Sequence, residues 1–265
     1  MYEFAYAKPA SVADAVALLK ADADAKPVSG GMTLVPTMKQ RLARPTQLVD
    51  LSGIGALSGV KVEGAKVTIG AMARHAEVAH SKDLAKAIPA LAKLAEGIGD
   101  PAVRNRGTIG GSVANNDPTA DYPSAVLALG GTIITDKRRI AADDFFQGMF
   151  TTALEPGELI TAIEFPVPEK AAYAKFPNPA SRYAMVGVFV AKGPAGVRVA
   201  VTGAGQGGVF RHKAMEAALA ASWSPDAVAK VATPAADLNG DIHASPEYRA
   251  HLVGVMAKRA VAAAG

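Results

Sequence analysis

The spacing of apolar positions along the chain assigns most of its elements. After a short first strand, Ser11 stands as the cap of a helix whose Val12, Val16 and Leu19 share one face. The chain then returns through KPVS into a Gly-Gly turn, so the start reads as a small strand-helix-strand unit, with LVDL at 48–51 as a third strand. VKVEGAKVTIGA alternates on both sides of Glu63-Gly64, the pattern of a hairpin opening a new region, which puts a boundary near residue 55. A helix is expected from about Asp83 to Glu96, stopped by Gly97. Beyond it, GDPAVRNRGTIGGSVANNDPTADYPSAVLALGGTI reads as a long glycine-rich loop, then an apolar helix and a strand. ELITAIEF is another alternating strand. FPVPEKAAYAKFPNPA, with four prolines, breaks the pattern as a connection between domains. YAMVGVFVA and VRVAV, joined through KGPAG, form an antiparallel hairpin, and helices complete the chain, the last capped by Ser245 with Pro246 at its first position. The expected regions are 1–55, 56–168 and 174–265, with no internal repeat.

VTGAGQGGVF at 201–210 carries the GxGxxG spacing of a dinucleotide loop at Gly203, Gly205 and Gly208. A dinucleotide fold needs that loop after the first strand of a parallel sheet, with further crossover units behind it. Here the strand is the second arm of a hairpin, and the 57 residues after Gly208 are mostly helical in pattern. The motif is therefore read as a plain strand-to-helix turn.

Composition narrows the chemistry. With 265 residues, half of them apolar, the chain can bury a substantial core. Its 28 Lys and Arg against 24 Asp and Glu are spread rather than clustered, which disfavours nucleic acid and anionic membrane as partners but leaves room for a small anionic ligand. The absence of cysteine excludes a disulfide framework, a thiolate nucleophile and an iron-sulfur cluster held by this chain alone. MYEFAYAKPASV lacks the regions of a signal peptide, and no apolar run reaches the roughly 20 residues that span a bilayer, so a cytoplasmic, non-spanning protein is expected.

Two double-glycine turns hold the candidate chemistry, SGGMT at 29–33 and TIGGS at 108–112. Turns without side chains let backbone N–H groups point into a concavity and bind phosphate oxygens, although either turn alone also reads as a tight bend. Arg104 and Arg106 flank the second and would steer phosphate or face solvent. Met32 and Met38 read as gap fillers. The five histidines, at 75, 80, 212, 243 and 251, show no metal-ligand spacing, and surface or capping roles suffice for them.

Around these turns the sequence is distinctive. FAYAKPASVADAVALL, VSGGMTLVPTMKQRLARPTQLVDLSGI, VTIGAMARHAEVAHS, GDPAVRNRGTIGGSVANNDPTADYPSAVLALGG and TTALEPGELITAIEFP, in that order, resemble the FAD-binding medium subunit of the molybdenum hydroxylases, the family of aerobic carbon monoxide dehydrogenase and bacterial xanthine dehydrogenase. The resemblance runs from residue 2 to about 192 and continues more weakly through DLNGDIHASPEYRAHLVGVMAKRA. It implies an α+β chain: a two-subdomain FAD-binding fold, made of the small strand-helix-strand unit and a larger mixed sheet with helices, then a C-terminal antiparallel sheet with helices.

It also implies roles. FAD would lie between the first two regions. Its pyrophosphate would meet Val28, Ser29, Gly30, Gly31, Met32, Thr33 and Leu34 on one side and Thr108, Ile109, Gly110, Gly111 and Ser112 on the other. Backbone N–H groups would do most of that binding, helped by the hydroxyls of Ser29, Thr33, Thr108 and Ser112. Asp121 would accept from sugar or ribityl hydroxyls, or else cap the following helix. Ile160 would lie against the isoalloxazine or serve as a strand core residue. Lys175 would stand near the flavin's pyrimidine carbonyls, where a cation favours the reduced anion, or be a solvated linker lysine. Tyr183 would cover one flavin face.

The implied activity is electron transfer: FAD takes electrons from 2Fe-2S clusters on a small iron-sulfur subunit and passes them to an external acceptor. Substrate would be oxidised at a molybdenum cofactor on a large subunit, in a dimer of heterotrimers. Two other readings share the sequence: a self-sufficient flavin oxidase, for which no general base stands out, and a non-catalytic subunit without FAD, against which the intact glycine turns argue. The substrate of the complex and the acceptor, whether NAD, quinone or oxygen, lie outside what this chain encodes.

Overall fold

Ser11 caps the first helix as its position predicts, its hydroxyl oxygen accepting from the Asp14 N–H at 3.1 Å. In the computed structural model, which describes residues 1–265, the chain begins with β1 (Ala5–Ala7), α1 (Val12–Ala21), β2 (Lys26–Val28), α2 (Leu34–Lys39) and β3 (Gln47–Asp50). The three strands form a parallel sheet in the order β1-β3-β2. Ala15, Val16 and Leu19 of α1 bury against Val49 and the following Leu51, Ile54 and Leu57. Leu159, from far along the chain, joins the same cluster and ties this unit to the next.

The predicted hairpin follows as β4 (Val60–Glu63) and β5 (Lys66–Gly70), turning at Gly64, whose φ of +58° suits glycine. A helical excursion then runs through α3 (His75–His80), α4 (Lys82–Ala87), α5 (Pro89–Glu96), α6 (Pro101–Arg104), α7 (Ile109–Asn115) and α8 (Tyr122–Ala128). The single helix expected over 83–96 is thus two. Pro89 disfavours helical geometry in the residue before it, and Ile88 sits at φ −138°, ψ 72° between α4 and α5. The segment expected to be a long loop also holds two short helices, α6 and α7. β6 (Thr132–Thr135), β7 (Arg139–Ala141), α9 (Ala142–Phe145), β8 (Phe146–Gly148), β9 (Thr151–Thr152) and β10 (Ile160–Pro166) complete this part.

Its five-stranded sheet has the order β4-β5-β10-β6-β7. Every pair is antiparallel, where a mixed sheet was expected, because β10 returns between β5 and β6 with Ile163 facing Ile69 on one side and Ile133 on the other.

The proline-bracketed stretch expected to be a linker is instead a strand, β11 (Lys170–Pro177). KAAYAKF contains no proline, so the prolines mark its ends, and as the edge of its sheet the strand tolerates them. β12 (Ala184–Gly193), β13 (Gly196–Thr202) and β14 (Phe210–Arg211) extend this sheet in order, followed by α10 (Lys213–Ala221), α11 (Pro225–Ala229) and α12 (Pro246–Ala264).

Both faces of β12 are covered, as its nearly unbroken apolar run suggests. Val186, Val188 and Val190 face the helices of the C-terminal part, while Phe189 and Ala191 join the core of the central part with Val126 and Leu127 of α8. Gly203 to Gly208 lie between two antiparallel strands, with Gly203 N donating to Pro118 O, so the motif is a strand-to-strand turn before it reaches α10.

Candidate functional site

A cleft of about 560 Å³ opens between the N-terminal and central parts, a size suited to a cofactor or small ligand. Val28, Ser29, Gly30, Gly31, Met32, Thr33 and Leu34 line it from the turn between β2 and α2. Thr108, Gly110, Gly111 and Ser112 line it from the start of α7, with Asp121, Ile160 and Tyr183 beyond. Ile109 and Lys175 are not part of its lining. Ile109 is wholly buried in the central core and its N–H donates to Ala73 O at 3.0 Å, so it has nothing left to offer a ligand.

The two glycine segments differ in kind. In the first, the chain leaves β2, turns at Gly31 with φ +70° and enters α2 at Thr33, whose side chain makes no cap bond. No protein acceptor meets the backbone N–H groups from Ser29 to Leu34. A run of consecutive free donors beside a cleft is an anion cradle.

The second segment is the first turn of a helix, and its donors are already used. Gly110 N donates to Ala71 O at 2.9 Å, Gly111 N to the Thr108 hydroxyl at 3.1 Å and Ser112 N to Thr108 O at 3.0 Å. The expectation of a second nest is corrected accordingly: Thr108, capping α7, and Ala71 O together take the N–H groups that a nest would offer.

Its glycines serve close approach instead. A Cβ on Gly111 would stand 2.6 Å from Ser29 Oγ, and one on Gly110 2.6 Å from Ala71 Cβ. From the other side, a Cβ on Gly30 would stand 2.7 Å from Gly107 Cα. The first segment therefore packs closely on the chain around the second, at Gly30 on Gly107 and at Ser29 on Gly111, and a hydrogen bond between the Thr108 and Ser29 hydroxyls at 3.2 Å joins them. The hydroxyls of Thr33 and Ser112 bond to nothing in the protein and remain available.

Asp121 precedes α8, but its side chain makes no cap bond. The carboxylate is 4% exposed, and its Oδ1 accepts from Tyr173 Oη at 2.6 Å and pairs with Lys175 Nζ at 2.9 Å. Burial raises its pKa, while the Lys175 charge and then the Tyr173 hydrogen bond pull it back down. Lys175 is accordingly neither a cleft cation nor a solvated linker residue: it stands on β11 and donates also to Gly97 O at 2.8 Å.

Sequence reasoning missed several residues of the wall. His75, assigned a surface or capping role, is 5% exposed and lines the cleft, its ring 5.3 Å from that of Tyr122. Burial, then the Arg104 charge, lower its pKa to about 4, so the imidazole is neutral near neutral pH. Arg104 itself is turned inward and donates to Ile98 O and Gly99 O, each at 3.0 Å, which fixes the turn carrying those two lining residues.

On the opposite wall Glu158 takes bonds from Arg138 Nε and Nη2, the Thr135 hydroxyl and Glu155 N. With Arg138 the largest influence, its pKa falls to about 2. That fixed carboxylate anchors the turn presenting Leu159 and Ile160. Partners 20 and 23 positions away leave no periodic signal.

The site thus combines free backbone donors, two spare hydroxyls, one carboxylate that is an acceptor, and apolar walls from Leu51, Met72, Leu154, Leu159 and Ile160. It is equipped to hold a ligand that combines an anionic group with hydroxyl groups and apolar surface.

Comparison with known proteins agrees with that description. Residues 2–168 match the family model described as the FAD binding domain in molybdopterin dehydrogenase, and residues 171–264 match the CO dehydrogenase flavoprotein C-terminal domain. The carbon monoxide dehydrogenase medium chain of Afipia carboxidovorans is 38% identical, the match covering 97% of this chain and 95% of that one. The nicotine 6-hydroxylase medium subunit of Paenarthrobacter nicotinovorans is 36% identical, over 98% and 96%. Among solved structures, the reconstituted CO dehydrogenase from Oligotropha carboxidovorans superposes with a TM-score of 0.90 at 36% identity, covering 99% of this chain and 98% of that one.

Proposed function

The chain belongs to the FAD-binding flavoproteins of the molybdopterin dehydrogenases, and on that premise we propose that it relays electrons as the medium subunit of a molybdenum hydroxylase. In this proposal the donor is a 2Fe-2S protein and the recipient an external acceptor. Bound FAD would supply a carrier able to exchange electrons singly or in pairs.

The chain's own residues would bind and orient it. The free N–H groups from Ser29 to Leu34 suit the pyrophosphate, with the hydroxyls of Thr33 and Ser112 beside them. Asp121 would accept from a hydroxyl of the cofactor's polyol or sugar. Ile160 and Tyr183 would meet its rings, and the apolar walls would keep water from them. Lys175 would act through Asp121 rather than by touching the flavin.

The observation that carries this reading is the unbroken run of unpaired donors beside the left-handed Gly31, packed against the start of α7. FAD titrated into the flavin-free full chain should bind one to one and turn the protein yellow. Gly31→Val, strained at a positive φ, should abolish uptake. A folded parent chain that takes up no FAD would overturn the proposal.

Partners follow from what this chain lacks. It has no cysteine, hence no thiolate to hold a cluster, and it contains no group of three or more His, Cys, Asp or Glu placed to bind a metal. A small iron-sulfur subunit and a large molybdenum subunit would supply both centres, in a dimer of heterotrimers working in the cytoplasm. The relatives' names, medium chain and medium subunit, support a complex of several different subunits. No helix of this chain is long and apolar enough to cross a membrane. Native mass measurement on the complex from its source would test the stoichiometry. Flavin bleaching by substrate in the isolated chain would favour a self-sufficient oxidase instead.

A further inference from the structure

The carboxylate of Asp121 is held from one side only. Tyr173 and Lys175 both reach its Oδ1 from β11, two positions apart and so on the same face of that strand. Oδ2 accepts nothing from the protein, and it is not among the buried side-chain atoms left without a partner. Asp121 lines the cleft, and Oδ2 is its carboxylate oxygen left without a protein donor.

Lys175 has a second acceptor at Gly97 O, but the Tyr173 hydroxyl has Asp121 alone. The surroundings are built for that contact. The Tyr173 ring stacks on Phe189 with centroids 6.1 Å apart and an interplanar angle of 29°. Gly187, paired with Lys175 across the ladder, leaves room for the hydroxyl, because a Cβ there would collide with Tyr173 Oη. Burial, then the Asp121 charge, push the phenol's pKa well above its ordinary value, so it remains a donor.

We propose that Tyr173 is a positioning residue for the cofactor: with Lys175 it fixes Oδ1 of Asp121 and so aims Oδ2 at a hydroxyl of bound FAD. This rests on the FAD reading given above. An ammonium on a flexible stem is a point charge that does not set the plane of a carboxylate. A phenol held by a stacked ring supplies the second, directional constraint. Tyr173 never touches the cofactor in this arrangement; it acts through Asp121.

The test is FAD binding to the flavin-free full chain as a function of pH, comparing the parent with Tyr173→Phe. The groups facing Asp121 are Tyr173 and Lys175 from β11 and Tyr122 from its own helix, and Tyr122 in turn packs on the neutral His75. Tyr173→Phe keeps the ring and should weaken FAD binding about tenfold, the order expected for losing a hydrogen bond to a charged group.

Affinity should fall as pH drops through the Asp121 pKa, and in Tyr173→Phe that fall should come at higher pH, because a carboxylate that loses a donor holds its proton more tightly. In an Asp121→Asn background the same substitution should add nothing further. If the parent takes up no FAD, the FAD reading itself fails. If the parent binds FAD and Tyr173→Phe shows the same affinity and the same pH midpoint, the positioning role is overturned and the FAD reading stands. Should Tyr173→Phe not fold, 3-fluorotyrosine at position 173 keeps ring and hydroxyl and makes a stronger donor. The midpoint should then move to lower pH, and an unmoved midpoint would overturn the role equally.

Discussion

The Thr108 hydroxyl reaches the Ser29 hydroxyl at 3.2 Å and so joins two segments that lie 79 positions apart. That bond lies beside the close approaches of Gly30 to Gly107 and of Gly111 to Ser29, so the spacing of the two cleft walls depends on glycine at Gly30 and Gly111. The φ of Gly111 is not positive, so its requirement is one of space rather than of backbone conformation.

Gly111→Val should therefore drive the walls apart by pressing on Ser29 Oγ, 2.6 Å from where the new Cβ would stand, and on Thr108 Oγ1 at 3.0 Å. We expect FAD content near zero after purification, with a stability loss of about 1–3 kcal/mol from overpacking. Gly207→Ala is the matched control, since no heavy atom lies within 4 Å of its Cβ position. Flavin absorbance per protein and a thermal melt decide the outcome, and full flavin in a folded Gly111→Val protein would contradict the packing account. Gly205 is unsuited as a control, because its Cβ would stand 2.6 Å from Gly208 O.

Lys175→Met should cost about 3–5 kcal/mol at neutral pH by leaving the Asp121 charge buried with one partner fewer. The sign of the pH dependence follows from burial. A carboxyl whose folded pKa is raised holds more protons folded than unfolded, so stability falls as pH rises through the folded value. Loss of Lys175 raises that value further. Urea midpoints of the parent and the variant should thus lie closer together at about pH 5 than at about pH 8, and a gap that narrows with rising pH would contradict the pairing.

His75 predicts the opposite slope. Its pKa is lowered from 6.5 to about 4, so the unfolded chain binds a proton that the folded one refuses, and stability is lost as pH falls from 6.5 towards 4. The contribution is at most about 3 kcal/mol. His75→Leu should flatten the stability profile across that interval while leaving it unchanged in shape above it. Denaturant melts at several pH values would show this, and an equally steep profile in the variant would place the titrating group elsewhere.

How much of this was legible varies with how local each signal was. The Ser11 cap, the turn at Gly64 and the apolar run of β12 are set by neighbouring residues, and the sequence displays them directly. The break at Ile88 was also written locally, in Pro89, but the apolar spacing on both sides masked it.

TIGGS misled because glycine is a poor helix former, and only the tertiary packing on Ala71 and Ser29 explains glycines in the first turn of α7. Lys175 was misplaced for a related reason. Prolines suggested a linker, whereas its contacts with Asp121 and Gly97, the latter 78 positions away, have no local trace. For the same reason the segments lining the cleft were readable as motifs, and the support beneath Asp121 was not.

The two-faced burial of β12 has a consequence for inheritance. Because Phe189, Ala191 and Ala200 complete the core that α8 belongs to, the C-terminal part is no separable cassette, although the family models change between residues 168 and 171. A hybrid gene that joined the front of one relative to the back of another at that junction would inherit a mismatched seam beneath α8 and, through Tyr173 and Lys175, a buried carboxylate at Asp121 held by a stranger's side chains. The boundary between the two family models thus runs through a shared core and not around it.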